Sequence, residues 1–113
     1  MRDWLSHLLL AELYERRQRD TISKPGCKQV REAVTAGDLV AGVEYLIAAT
    51  DPGDQPVAAW LGEPLEVAVE KWHEDGRLSS TQATDIQENL AEGKWTAAVA
   101  AIEAAAAEAR KGP

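Results

Sequence analysis

Apolar residues recur along the chain at intervals of three and four positions, the spacing that places side chains on one face of an α-helix. Leu5, Leu9 and Leu13 follow this spacing and predict a first helix from about Asp3 to Asp20. The helical pattern then resumes several times, with glycine or proline between the segments. It predicts further helices over about residues 28–36, 39–50, 64–74, 80–92 and 94–110.

The ends of the early helices are marked by residues with specific backbone preferences. Pro25-Gly26 is interpreted as a break between the first and second helices. Gly37 suits the left-handed conformation that closes a helix, and Asp38 can cap the next helix because its carboxylate accepts from free backbone N–H groups. The turn-forming segment 51–56 then divides the chain nearly in half.

The second half of the chain carries similar signals. Gly62 and Pro64 argue against one straight helix in this region, and Pro64 suits the first turn of a helix reaching Glu74. Ser79 or Ser80 can cap the helix that follows.

Composition supports an all-α fold. Apolar residues make up 45% of the 113 residues, and alanine and leucine, both strong helix formers, dominate among them. Residues that favour strands are sparse and do not alternate. The sequence therefore predicts a compact bundle of about six short helices, arranged as two related three-helix units within a single helical domain, residues 1–113.

The two halves of the chain resemble each other. A shift of 56 residues aligns segments 4–49 and 60–105 without a gap, with ten identities at 46 positions. Tryptophans, helix-ending glycines and apolar faces coincide together, which favours an internal repeat over chance. Similar helical hairpins can also arise independently, because short connections between helices have few solutions.

The second half of each unit resembles a tetratricopeptide helical hairpin. Gly37-Asp38-Leu39 with Gly42 and Ala49 is similar to the glycine turn and second helix of that family. Gly93-Lys94-Trp95 and the residues after it look similar. The family's 34-residue period and its first-helix signature are absent. The resemblance implies binding of a peptide or protein on a helical surface, and it carries no catalytic residues.

Charge is distributed unevenly. The net charge is −7, which disfavours general binding to nucleic-acid phosphates and to anionic membranes. Segment 15–31 nevertheless holds six bases and two acids, so it carries +4 and the remainder −11. Its bases are either a partner-binding site or an ordinary solvated face at a helix end. The candidate partner-binding cations are Arg16, Arg17, Arg19, Lys24, Lys28 and Arg31.

Trp72 is a further candidate partner-binding residue. Its charged neighbours Lys71 and Glu74 favour an exposed aromatic anchor, because interfaces are enriched in tryptophan. The alternative is that Trp72 completes the apolar stripe of Leu65 and Val69. The other aligned tryptophans are expected to pack in the core.

No residue pattern for catalysis or metal binding is present in the sequence. His7 and His73 lie on different predicted helices, and no cysteine stands at metal-ligand spacing from them. No nucleophile–base pair or phosphate-binding glycine loop is found, so we expect no enzymatic activity and no cofactor. The single cysteine, Cys27, and the lack of a signal-peptide pattern favour the cytoplasm.

These observations predict a non-enzymatic protein-binding module: an adaptor, an assembly factor or an inhibitor. The expected partner is another protein, and opposite charge on segment 15–31 and on the equivalent segment 71–87 also allows a homo-oligomer. One alternative is a small acidic inhibitor of the phage or mobile-element type that mimics nucleic acid. Another is a nucleic-acid binder that uses segment 15–31. We expect no association with a membrane.

Overall fold

Six α-helices make up most of the chain in a computed structural model, which describes the backbone of residues 1–111 and the side chains of residues 1–108. The predicted all-α class is confirmed, and the described residues form no strand beyond an isolated antiparallel bridge between Ile22 and Thr50. The helices are α1 (Arg2–Arg19), α2 (Lys24–Thr35), α3 (Leu39–Ala49), α4 (Glu63–Glu74), α5 (Ser80–Ala91) and α6 (Trp95–Lys111).

Backbone contacts divide the chain into two units. The N-terminal unit comprises Asp3–Pro56, and the C-terminal unit comprises residues from Val57 onward together with Met1–Arg2. Each unit contributes buried aliphatic side chains, most of them at helical spacing. Those of the N-terminal unit include Leu5, Leu9, Leu13, Val30, Leu39, Val43 and Leu46, and those of the C-terminal unit include Leu61, Leu65, Val69, Leu78, Ile86, Val99 and Ile102.

In the N-terminal unit, α2 packs along α3. The two helices approach closely because buried glycines stand where a side chain would collide. A Cβ added at Gly26 would overlap the Cβ of Ala49, and one added at Gly42 would lie 3.1 Å from a methyl group of Val34.

The predicted break at Pro25-Gly26 is wrong. Both residues belong to the first turn of α2, which begins at Lys24. The hydroxyl of Ser23 caps this helix by accepting from the N–H of Gly26 at 3.1 Å. Proline is accepted in a first turn because the N–H that it lacks would have no partner within the helix there.

In the C-terminal unit, a π-helical turn over Ala58–Gly62 leads directly into α4. The wider turn lies where Gly62 and Pro64 were expected to prevent one straight helix. Gly62 is buried, and a Cβ at this position would lie 3.1 Å from the Trp95 ring. Helix α4 packs on α5, and α5 packs on α6.

The backbones of the two units correspond at a constant shift of 56 residues. Helices α2 and α5 have equal lengths and equivalent bounds, and serine caps both. Within the described backbone, the four residues with positive φ fall into two equivalent pairs, Asp20 with Gly76 and Gly37 with Gly93. The left-handed conformation predicted for Gly37 is thus confirmed. An internal duplication stays a prediction. It would require equivalent helix bounds, caps and turns of this kind in the two units.

None of the helices within the described part of the chain combines the length and the apolar character needed to cross a membrane.

Candidate functional site

The six candidate cations of segment 15–31 do not form one surface. Arg16 was expected among the arginines that ring the end of α1, but its side chain is fully buried. Its Nη1 donates to the Glu12 carboxylate at 2.6 Å and to the Glu12 carbonyl at 3.1 Å, while Nε donates to the Thr50 hydroxyl at 3.0 Å. A partner therefore has no access to Arg16. The expectation failed because Arg16 extends the buried stripe of Leu9 and Leu13.

Arg19 is also engaged within the N-terminal unit. Its Nη2 donates to both carboxylate oxygens of Asp54, at 3.0 and 2.9 Å, and its Nη1 donates to Glu15 at 3.1 Å. Asp54 accepts in addition from the Thr21 hydroxyl at 2.6 Å and from the N–H of Gln55 at 2.7 Å. These bonds join the end of α1 to the turn over residues 51–56.

The same contacts change the pKa values of Asp54 and Arg19. The Thr21 hydrogen bond, helped by Arg19 and by the Gln55 N–H, holds the pKa of Asp54 well below its usual range against the opposing effect of burial. The hydrogen bond to Asp54 raises the pKa of Arg19. Asp54 is therefore ionised at neutral pH, and the pair acts as a structural contact.

The remaining four cations are exposed. Arg17 lies on α1, and Lys24, Lys28 and Arg31 follow one another on α2 at steps of four and three residues. Such steps place the α2 cations on one helix face. Lys28 has an exposed ion pair with Glu32 at 3.9 Å, and a pair of this kind contributes little stability. The accessible part of the predicted basic site is thus Arg17 and the α2 face.

The prediction that Trp72 is exposed is wrong. Only 5% of this residue is accessible, because it lies on the same face of α4 as Leu65, Ala68 and Val69. The alternative interpretation, that Trp72 completes the apolar stripe, is confirmed. Of the tryptophans expected in the core, Trp60 is buried, whereas Trp4 and Trp95 are half-buried.

A surface that the sequence analysis missed lies on α1. Leu10 and Tyr14, one turn apart, are 40% and 63% exposed, and Arg17 follows at the next turn. We refer to Leu10, Tyr14 and Arg17 as the α1 row. A signal was present in the three consecutive leucines at 8–10, because residues 100° apart on a helix cannot all face one core.

The corresponding surface of α4 has different chemistry. Val67 is 70% exposed, and the exposed carboxylates Glu66 and Glu70 flank it. These residues and Gln87 of α5 line a shallow depression. We refer to Glu66, Val67 and Glu70 as the α4 row. At the 56-residue shift, Leu10 corresponds to Glu66 and Tyr14 to Glu70.

The described side chains offer little chemistry for catalysis or metal binding. They contain no cluster of three histidine, cysteine or carboxylate groups that could hold a metal ion. His73 Nε2 lies 3.1 Å from the Ser80 hydroxyl, but both residues are exposed. Activation of a serine by histidine also requires a group that orients the second ring nitrogen. Within the described residues, the hydrogen bonds of His73 supply no such group.

Comparison of the chain with protein-family models, curated proteins and solved structures gives no match.

Proposed function

We propose that this protein is a non-enzymatic protein-binding module, acting as an adaptor, an assembly factor or an inhibitor, and that the α1 row contacts its partner. The observation that carries the proposal is the exposure of Leu10 and Tyr14 on consecutive turns, with Arg17 beside them. Tyrosine and arginine are enriched at the centres of protein interfaces. Apolar side chains gain free energy when a partner removes them from water.

The packing of α1 supports this role. Leu5, Leu9 and Leu13 are buried along a different face of this helix, and the Arg16 and Arg19 contacts hold its C-terminal end. The α1 row is therefore presented on an ordered helix, which lowers the entropy lost when a partner binds.

Affinity capture tests the proposal. Wild-type protein and a Leu10→Ser/Tyr14→Ser variant are immobilised and exposed to an extract of the native host, and captured proteins are quantified by mass spectrometry. The matched control is Tyr45→Ser, because Tyr45 is 41% exposed but lies on α3. We expect the same specific proteins with the wild type and the control, and at least about a tenfold loss with the double variant. Equal capture by all three proteins would contradict the proposal.

A second candidate function is favoured by the carboxylates of α4. Glu63, Glu66, Glu70 and Glu74 are all exposed and follow one another at steps of three and four residues. Together with the net charge of −7, this row supports an acidic inhibitor that mimics nucleic acid and occupies a basic groove. Binding to such a partner should weaken sharply with added salt and with Glu66→Gln/Glu70→Gln, whereas Glu44→Gln on α3 should have little effect.

An alternative from a different functional class is a nucleic-acid binder. The exposed α2 face of Lys24, Lys28 and Arg31 supports it. Its test is a titration of labelled DNA and RNA duplexes at low salt. If this alternative applies, Lys24→Glu/Arg31→Glu abolishes the affinity. The absence of binding by the wild type at low salt would remove it.

A further inference from the structure

The α1 row and the α4 row lie on equivalent helices and overlap at two equivalent positions, Leu10 with Glu66 and Tyr14 with Glu70, yet their chemistry is complementary. The α1 row presents two apolar side chains and one guanidinium. The α4 row presents one apolar side chain between two carboxylates. Among the described residues, only Tyr45 joins Leu10, Tyr14 and Val67 as an exposed large hydrophobic residue.

Neither row is covered by the unit that carries it. Tyr14 is 63% exposed and Val67 is 70% exposed. The ion pairs of the described residues also leave Arg17, Glu66 and Glu70 without an opposite charge. Each row is therefore available to a partner, and the other row offers the complementary chemistry.

We propose that the α1 row of one copy docks on the α4 row of a second copy, an inference that rests on the proposed function and names this chain as its own partner. Leu10 and Tyr14 cover Val67, and Arg17 pairs with a carboxylate beside it. Acids stand on both sides of Val67 along α4. Arg17 therefore meets one of them whether the two helices run parallel or antiparallel.

The contact is heterologous, because it joins two different surfaces. It continues into chains of molecules unless the geometry closes it into a dimer or ring. The patches are small, so the association is weak and requires high protein concentration. Charge complementarity contributes to it, which makes it sensitive to ionic strength.

Sedimentation of the full chain over a concentration series, up to about 1 mM at low salt, tests the inference with two charge-reversed variants. Arg17→Glu places acid against acid at the contact, and Glu66→Lys/Glu70→Lys places base against base in either helix orientation. Each variant alone should associate at least about tenfold more weakly than the wild type. An equimolar mixture of the two should associate again, because each α1 row then meets an α4 row of opposite charge.

Matched controls repeat the same charge changes elsewhere. Arg77→Glu and Glu44→Lys/Glu88→Lys alter exposed residues outside both rows and should associate like the wild type. Circular dichroism of every variant establishes that its helices are intact. A wild type that stays monomeric throughout the range would overturn the inference, as would variants that behave like the wild type or a mixture that shows no rescue.

The two proposals fail separately. If the wild type is monomeric but Leu10→Ser/Tyr14→Ser still loses specific captured proteins, the binding function stands and the partner is a different chain. If the mixture shows rescue but no other protein is captured, the α1 row serves self-association.

Discussion

The buried guanidinium of Arg16 bonds to two residues of the N-terminal unit. Glu12 supplies a carboxylate and a carbonyl, and Thr50 supplies a hydroxyl. The Glu12 side chain is itself only 20% exposed. Removal of one partner therefore leaves the other charge poorly solvated.

We predict that Arg16→Met lowers the free energy of unfolding by about 3 kcal/mol, because the Glu12 carboxylate loses its cation. The double variant Glu12→Ala/Arg16→Met should cost clearly less than the sum of the single changes, since no buried charge is then left unpaired. The C-terminal unit has the apolar pair Ala68 and Trp72 at the equivalent positions. Urea denaturation of the four proteins in the cycle measures the coupling, and additive losses would contradict it.

Asp54 provides a prediction about acid stability. The pKa of this carboxyl is depressed in the folded protein, so it binds protons less readily there than in the unfolded chain. Its contribution is present in full above the ordinary aspartate range, near pH 4, and is lost as the pH falls further.

We expect Asp54→Asn to cost about 2 kcal/mol at pH 7, since the ion pair and charged hydrogen bonds are lost. The difference from wild type should shrink steadily below about pH 4, where protonated Asp54 comes to resemble asparagine. Urea titrations at several pH values measure it. Asp51→Asn, in the same turn, keeps the contacts of Asp54 and serves as the control. A difference that does not change with pH would be the contrary result.

Spacing and residue type gave conflicting signals at Arg16 and at Trp72. Each lies three residues beyond a buried apolar residue of its stripe, Leu13 or Val69, so spacing alone placed both in the core. Their types suggested a surface arginine and an exposed aromatic anchor. One partner that makes burial of Arg16 possible, Thr50, is 34 residues away, and local patterns do not contain such a contact.

At the scale of elements, the sequence predicted those helix ends that a nearby glycine or capping residue determines. Gly37 and Gly93 have positive φ, and Asp38 and Ser79 cap α3 and α5 by accepting from N–H groups at 3.1 Å. The beginning of α2 was missed because proline either ends a helix or occupies its first turn, and the sequence alone does not distinguish these cases.

The prediction at the scale of elements concerns Gly26 and the packing of α2 on α3. It lies where α2 meets the end of α3, and any side chain would overlap Ala49 and the Ser23 hydroxyl. We expect Gly26→Ala to lower the free energy of unfolding by about 2 kcal/mol through overpacking, despite the better helix propensity of alanine. Gly53→Ala is the control, because a Cβ there meets only Asp51 Oδ1 at 3.5 Å. Equal stability of the two variants in thermal denaturation would show that α2 and α3 can move apart.

At the scale of the molecule, the two units keep one backbone pattern while their surfaces differ. The equivalent helices α2 and α5 share bounds and a serine cap, but Lys24, Lys28 and Arg31 correspond to Ser80, Thr84 and Gln87. Buried spacing and turn residues are thus similar in both units, whereas exposed residues differ. This is why the fold could be predicted from one sequence and the proposed binding surface could not.

Because backbone contacts divide the chain into two compact units, we predict that a destabilising change in one unit increases opening mainly in that unit. Hydrogen–deuterium exchange of Arg16→Met should show faster exchange of the α1, α2 and α3 amides, with a smaller change in α5 and α6. Ile102→Ala, which empties a fully buried position of the C-terminal unit, should reverse the pattern. Uniform acceleration across all helices in both variants would mean instead that the chain opens as one cooperative structure, with the 56-residue correspondence confined to backbone geometry.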